Sequence, residues 1–303
     1  MRPRLVIVVV ALLLAVSGGT ALAVDALPDG SGDRAAPQPA PAPPAPQQMP
    51  PRPRLDLTAD VSVDIDGFLT WAALDRTTGA MVNSGDEVNT TESMIKAWIS
   101  ADHLRRQAEA GLRPTRTALD EIRRAIRNSD SAAAEALYRD GGRDAVVRRM
   151  IEMCGLTGTT IYPSWWSRTE MTAIDAVRMG ECLVEGTAAG PEWTGWLLEE
   201  MRNVQGSTAE RDQRPQEDFE GGRWGIIDGL PPGVDAEAVS IKNGWTRIGS
   251  TGSWHVNCMA VTDDWVLAVL MRYPAGYSLD YGARRCASVA AQLFRSPPAM
   301  MVG

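Results

Sequence analysis

Ser93 and Lys96 stand three residues apart in the stretch TTESMIKAWISADHLR (90–105), at the head of a predicted helix. At positions i and i+3 their side chains share one helical face and can meet. A serine hydroxyl is a weak nucleophile until a neighbouring base takes its proton. Lysine can be that base when burial or a nearby cation lowers its pKa. Arginine cannot, because it stays protonated throughout the accessible pH range. The residue choice is therefore informative: of thirty lysines and arginines, Lys96 and Lys242 are the only lysines. The helix N-terminus also favours negative charge developing on the serine oxygen. By itself Ser-x-x-Lys equally describes an ordinary first helical turn with an exposed lysine.

Two further stretches carry polar groups of the same kind. Ser129-Asp130-Ser131 falls in a break between predicted helices, where a hydroxyl can face a cleft or simply cap a helix. Lys242-Asn243-Gly244 lies on the predicted strand AVSIKNGW (238–245), and Gly244 lets another group approach the strand backbone closely. As an edge-strand lysine, Lys242 would instead discourage aggregation. His103 and His255 are far apart and lack surrounding cysteine or carboxylate spacing, so no metal is expected.

These residues need a frame. Alternation in VSVDIDGFLTWAALDRTTGAMVNSG (61–85) predicts strands with a turn at Thr77-Thr78-Gly79. Helical periodicity follows from Ser93 to about Asn203: one helix to Ala110, one opening at Thr117, then others near 131–139, 143–153, 170–184 and 191–203. Ser167-x-x-Glu170 reads as a capping box for the fifth of these. Strands return at 238–245, 255–262 and 265–273, and a last helix is expected near 280–294. Trp193 and Trp196 are expected in the core, Trp165-Trp166 either lines a cleft or staples a loop, and ERDQRPQEDFE (210–220) reads as a solvated loop. Strands, helices, strands and a helix define an α+β chain: one antiparallel sheet flanked by helices, with an all-helical subdomain inserted.

The whole chain sets the context. Arg2 and Arg4, an apolar run from Leu5 to Val16, and Ala21-Leu22-Ala23 read as an export signal over 1–23, either cleaved or retained as a single-span anchor. Residues 24–54 form a linker rich in proline and alanine, extended and semi-stiff. Residues 55–303 then make one large domain, with a sheet part over about 55–92 and 205–303 and a helical part over about 93–204. The formal charge of −8 argues against nucleic acid as a partner. Four cysteines outside the cytoplasm suggest two disulfides, with three connectivities open. Cys154–Cys182, tying neighbouring helices, and Cys258–Cys286, tying a strand to the last helix, are the expected pairs; buried free thiols are the alternative. A monomer is expected.

Taken together, Ser93-x-x-Lys96, Ser129-x-Ser131 and Lys242-Asn243-Gly244 resemble the signature of the penicillin-recognising serine superfamily, the class A β-lactamases and D-alanyl-D-alanine peptidases. Order and context agree: helix start, inter-helix loop, strand. The segment RWGIIDGLPPGVDAEAVSIKNGW (223–245) is similar to exported actinobacterial serine hydrolases of that group, and the resemblance spans about residues 60–295. It implies the β-lactamase/transpeptidase-like fold, Ser93 as acyl-accepting nucleophile, Lys96 as base, Ser129 as proton relay and Lys242 as carboxylate binder. It also implies an oxyanion hole at the Ser93 and Trp245 N–H groups, with Ser131, Asn243 and Gly244 at substrate-contacting positions. No cofactor is implied, and the partner would be a small-molecule or peptide substrate such as a cell-wall peptide, a β-lactam or an ester.

The chain departs from the pattern in three places. Ser131 stands where the superfamily has Asn, and Asn243 where it has Thr or Ser. The loop GLTGTTIYPSWWSRT (155–169) holds no acidic residue, so the glutamate with which class A enzymes activate the deacylating water is missing. Poor β-lactam turnover is expected. A degenerate, non-catalytic binding module is the alternative.

Overall fold

The computed structural model describes residues 54–215 and 218–295; the expected signal segment, all but the last residue of the expected linker, and residues 296–303 lie outside them. A central antiparallel sheet runs in the order β3 (Ala80–Asn83), β2 (Phe68–Asp75), β11 (Trp265–Pro274), β10 (Ser253–Val261) and β8 (Ser240–Ile241), and β9 (Gly244–Ile248) also pairs with β10. First and last segments of the chain thus share one sheet, as the α+β reading requires. Strands β10 and β11 are buried almost end to end, because both of their faces are covered. Among the described residues no helix is long and apolar enough to cross a membrane.

Helix α5 (Ala173–Glu185) lies on β2, β10 and β11, and α7 (Leu279–Leu293) packs on β10 and β11. The remaining helices, α1 (Lys96–Glu109), α2 (Arg116–Arg127), α3 (Ser131–Asp140), α4 (Asp144–Met153) and α6 (Thr194–Arg202), form the inserted helical part. Helix α1 is its axis: Lys96 to Arg105 are all buried, and α2, α3, α4, α5 and α6 each pack on it. Both expected disulfides are present, Cys154–Cys182 between the end of α4 and α5, and Cys258–Cys286 between β10 and α7. Short pairs complete the fold: β1 (Arg54–Leu55) with β12 (Phe294–Arg295), β4 (Val88–Thr90) with β5 (Glu170–Thr172), and β6 (Gln213–Arg214) with β7 (Phe219–Glu220).

Three local readings change. Residues 61–66 alternate but join no strand, since side chains of the last helix take the bonds a neighbouring strand would. Gln292 accepts from Ser62 N–H and donates to Ser62 O, and Arg285 donates to Asp64 O. Glu170 begins β5 rather than a helix; the cap of α5 is Thr172, whose hydroxyl accepts from Asp175 N–H at 3.1 Å. The second helix is capped by Thr115, not Thr117, through a bond from Ala118 N–H.

Candidate active site

A buried amide pair builds the turn that carries Ser93. Asn89, at the middle of β4, donates to Asn257 Oδ1, and Asn257 in β10 donates to Thr90 O and Thr91 O at 2.8 and 3.2 Å. The chain then enters a one-turn 3-10 helix, Glu92–Ile95, which runs directly into α1. Glu92 sits at φ +47°, a strained conformation for a residue with a side chain. Strand β9 closes in from the other side. A Cβ on Gly244 would lie 2.5 Å from Met94 N and from Thr91 O, and 2.8 Å from Ser93 N, so only glycine allows this contact.

Lys96, one turn along, is fully buried, and so is Lys242. The Lys96 ammonium donates to the carbonyl oxygen of Ser129 and lies 3.4 Å from Ser129 Oγ and 3.2 Å from Ser131 Oγ. Lys242 donates to the same Ser129 hydroxyl at 3.0 Å and to Asn243 O at 3.2 Å. Ser129 adopts φ +56°, a second strained position, and Asp130 behind it caps α3 through Ala133 N–H and pairs with Arg124. The strand expected over 238–245 is broken at Lys242-Asn243, between β8 and β9, and groups from a helix start, an inter-helix loop and this break meet on one hydroxyl. The Ser93 hydroxyl has no hydrogen-bond partner among the described residues.

Burial makes both lysines poor proton holders. Desolvation lowers Lys96 to about 8, opposed by Glu220, Asp130 and Glu92. Lys242 lies well below its ordinary value, first through burial and then through repulsion from Lys96, with Glu220 opposing. Trp166 adds to the dry environment: its ring, 7% exposed, has a centroid 5.4 Å from Lys96 Nζ, and its indole N–H donates to Glu135. Its neighbour Trp165 points outward, 53% exposed, edge-on to Tyr162 and under Arg168. Trp166 thus staples the loop to the core, while Trp165 stands at the surface. Trp193 and Trp196 are half-buried against the core and meet edge to face at 5.8 Å.

Two acids near the site escaped the sequence reading, and His255, weighed there only as a metal ligand, also lies close by. Glu220 belongs to the run read as a solvated loop, yet it is half-buried in β7 and acts electrostatically on both lysines. Its backbone N–H donates to Asn128 O, next to Ser129, at 2.8 Å. Glu92 is buried next to Ser93, with Thr90 donating to its carboxyl at 2.7 Å; burial raises its pKa against bonds from Thr90 and Thr246. His255 pairs in register with Thr246, lies 2.6 Å from Thr90 Oγ1, and is lowered to about 4 by burial, so it is neutral. Only Glu92 carried a visible signal, its adjacency to Ser93.

Asn243 faces inward. Its amide donates to Gly222 O and Trp224 O at 2.9 and 2.7 Å, which takes up both N–H bonds and ties the strand to the 219–224 segment. Trp245 follows, packed edge to face on Trp224 and donating to Gln213.

The family model of the "Beta-lactamase enzyme family" matches residues 112–217. Solved β-lactamases share the fold. The enzyme of Desulfarculus baarsii aligns with a TM-score of 0.53 at 18% identity, covering 75% of this chain and 91% of its own. PBP-A aligns with a TM-score of 0.58 at 18% identity, covering 77% and 90%. This chain has the fold of the serine β-lactamases and of PBP-A, and its residues 112–217 match the β-lactamase family model. Within curated proteins, LppW of Mycobacterium bovis and of Mycobacterium tuberculosis, a lipoprotein by its name, is 33% identical over 204 residues. The match takes in 64% of this chain and 59% of the LppW length. Among superfamily features, the meeting of Lys96, Ser129 and Lys242 is the one whose geometry bears on chemistry.

Proposed function

We propose that this chain is an extracytoplasmic serine hydrolase that forms an acyl-enzyme on Ser93 with an amide or ester substrate. One observation carries the reading. Lys96 is wholly buried with its pKa brought down to about 8, one helical turn from Ser93 and against the hydroxyl of Ser129. A lysine so placed is a usable base near neutral pH. In the step, the Ser93 oxygen attacks the carbonyl carbon and its proton passes to neutral Lys96. The tetrahedral intermediate then collapses, the bond to the leaving group breaks, and Ser129 delivers a proton to the departing atom, replenished by the Lys96 ammonium. The N–H groups of Ser93 and Trp245 would hold the oxyanion.

Discharge of the acyl-enzyme is the slow part. The loop over 155–169 brings the Trp166 ring to Lys96 and offers no carboxylate there to activate water. Two disulfides, the signal-like N-terminus and the lipoprotein name of LppW support a place outside the cytoplasm, secreted or membrane-anchored. A cell-wall peptide, a β-lactam and a simpler ester all fit the reaction class.

A second reading, a binding module without turnover, is favoured by one observation. Ser131 is bonded to Lys96, and both amide hydrogens of Asn243 are taken by the backbone, so two side chains at substrate-contacting positions are engaged internally. Intact-mass spectrometry after incubation with a fluorescent penicillin and an activated ester separates the two. An adduct present in the native chain and lost in Ser93→Ala supports the enzyme. A folded protein giving neither adduct nor ester turnover refutes it.

A further inference from the structure

The surroundings of Lys242 specify the charge of the substrate, an inference resting on the acyl-enzyme reading above. An ammonium at the end of a cleft ordinarily recruits an anionic group of the ligand. Here the neighbourhood is already supplied. Lys242 has no exposed surface and donates to Ser129 Oγ and to its neighbour's carbonyl, Asn243 O. The adjacent amide of Asn243 has no N–H left to offer a carboxylate, since Gly222 O and Trp224 O accept both.

The same segment that absorbs Asn243 also brings in a negative charge. Residues 219–224 run between the two lysine-bearing elements: Glu220 N–H donates to Asn128 O on the Ser129 side, and Gly222 O accepts from Asn243 on the Lys242 side. Glu220 faces both ammoniums electrostatically, and its carboxylate has no side-chain hydrogen bond or ion pair among the described residues. The other two acids acting on Lys96 are engaged elsewhere: Asp130 by Arg124 and Ala133 N–H, Glu92 by Thr90. Glu220 is thus the uncommitted counter-charge of the lysine pair.

We infer that the site selects acyl donors without a free carboxylate on the leaving-group side, because Lys242 and Asn243 are already bonded within the protein and the acidic Glu220 lies in the segment that joins the Ser129 and Asn243 sides of the site. A substrate carboxylate entering beside Lys242 meets a like charge in a partly desolvated cleft, where Coulomb repulsion is weakly screened. An uncharged ester or amide meets no such opposition. Burial raises the Glu220 carboxyl above its ordinary value, with Lys96 and Lys242 opposing.

A matched pair of thioesters tests this: the phenylacetyl thioester of thioglycolic acid and that of thioglycolamide. They deliver the same acyl group; their leaving thiols differ in one charge and in acidity, so each native ratio is compared with the ratio of the uncatalysed hydrolysis rates. The native chain is expected to acylate with a higher kcat/KM on the thioglycolamide ester. Glu220→Gln should raise the relative rate on the acid ester about tenfold, the scale of one like charge removed at close range. Glu220→Asp, which keeps the charge, should preserve the native ratio. An effect of these variants on Lys96 as the shared base acts on both esters and cancels in the ratio. Native preference for the acid ester, or an unchanged ratio in Glu220→Gln, overturns this inference and leaves the acyl-enzyme intact. Failure of both esters to give a Ser93-dependent adduct overturns the parent reading, and this one with it.

Discussion

Lys96 and Lys242, more than a hundred residues apart in the chain, converge on one hydroxyl, with their ammonium nitrogens 3.4 and 3.0 Å from Ser129 Oγ. Burial brings Lys96 down to about 8, and burial with repulsion from Lys96 puts Lys242 well below its ordinary value. A neutral lysine is thereby accessible near neutral pH. The arrangement fixes several measurable outcomes.

Acylation should depend on neutral Lys96. With its pKa brought down to about 8, the rate of adduct formation should climb about tenfold per pH unit below that value and level off above it. Stopped-flow acylation with an activated ester between pH 5 and 10 reads this directly. Lys96→Arg keeps the charge but should lose about 10²–10⁴ in rate. A flat pH profile would remove Lys96 from the base role.

Covering by Trp166 should set where that limb lies. Its ring keeps water from the Lys96 ammonium, and Trp166→Ala should hydrate the cation and move the pH of half-maximal acylation upward. A downward movement, or none in a folded variant, would show that the indole does not control desolvation at Lys96.

The same burial has a stability cost. Lys96 ordinarily titrates at 10.5, so between about 8 and 10.5 the unfolded chain binds more protons than the folded one. Stability should therefore rise with pH across that window and be insensitive to this group below it. Lys96→Met removes the penalty and should gain on the order of 3 kcal/mol at pH 7, with the gain shrinking towards pH 10.5. Urea denaturation at pH 7 and pH 10 gives both numbers, and a destabilised Lys96→Met at pH 7 would contradict it.

Gly244→Ala should damage site and fold together. The added methyl meets backbone atoms of Thr91, Ser93 and Met94 that cannot swing aside. Overpacking of this kind costs about 1–3 kcal/mol. Thermal melting should show that loss, and ester acylation should fall more steeply because the Ser93 turn must move. Wild-type melting with normal acylation would rule out the close approach.

Each disulfide closes a sequence separation of 28 residues. Chain entropy then assigns each a contribution of about 3–4 kcal/mol. The paired variants Cys154→Ser/Cys182→Ser and Cys258→Ser/Cys286→Ser should each lose stability of that order in denaturant titrations. Loss below about 1 kcal/mol from either would mean that the unfolded chain is already constrained there.

Much of this architecture is legible along the chain. The apolar runs of β2, β10 and β11, the helical periods and the order of the three short motifs are local patterns, and local patterns survive in sequence. Even so, two errors have a common origin. The alternating residues 61–66 look like a strand, but whether they pair depends on a helix more than two hundred residues away. Ser167 and Glu170 have the spacing of a capping box, but Glu170 is drawn into β5 by its pairing with Thr90 and Thr160. Tertiary partners outcompeted local propensity in both cases.

What the sequence determined alone was which side chains are chemically competent. Two lysines among many arginines can titrate, and only a few serines share a motif with them. What tertiary structure decided was their electrostatic setting. Glu220 sits in a run of charged residues with every mark of a solvated loop, and Asn243 looks like a donor facing a cleft. The fold buries the first beside both lysines and turns the second's amide into the backbone of Gly222 and Trp224. Burial and through-space charge depend on distances between residues remote in sequence, and no spacing along the chain encodes them.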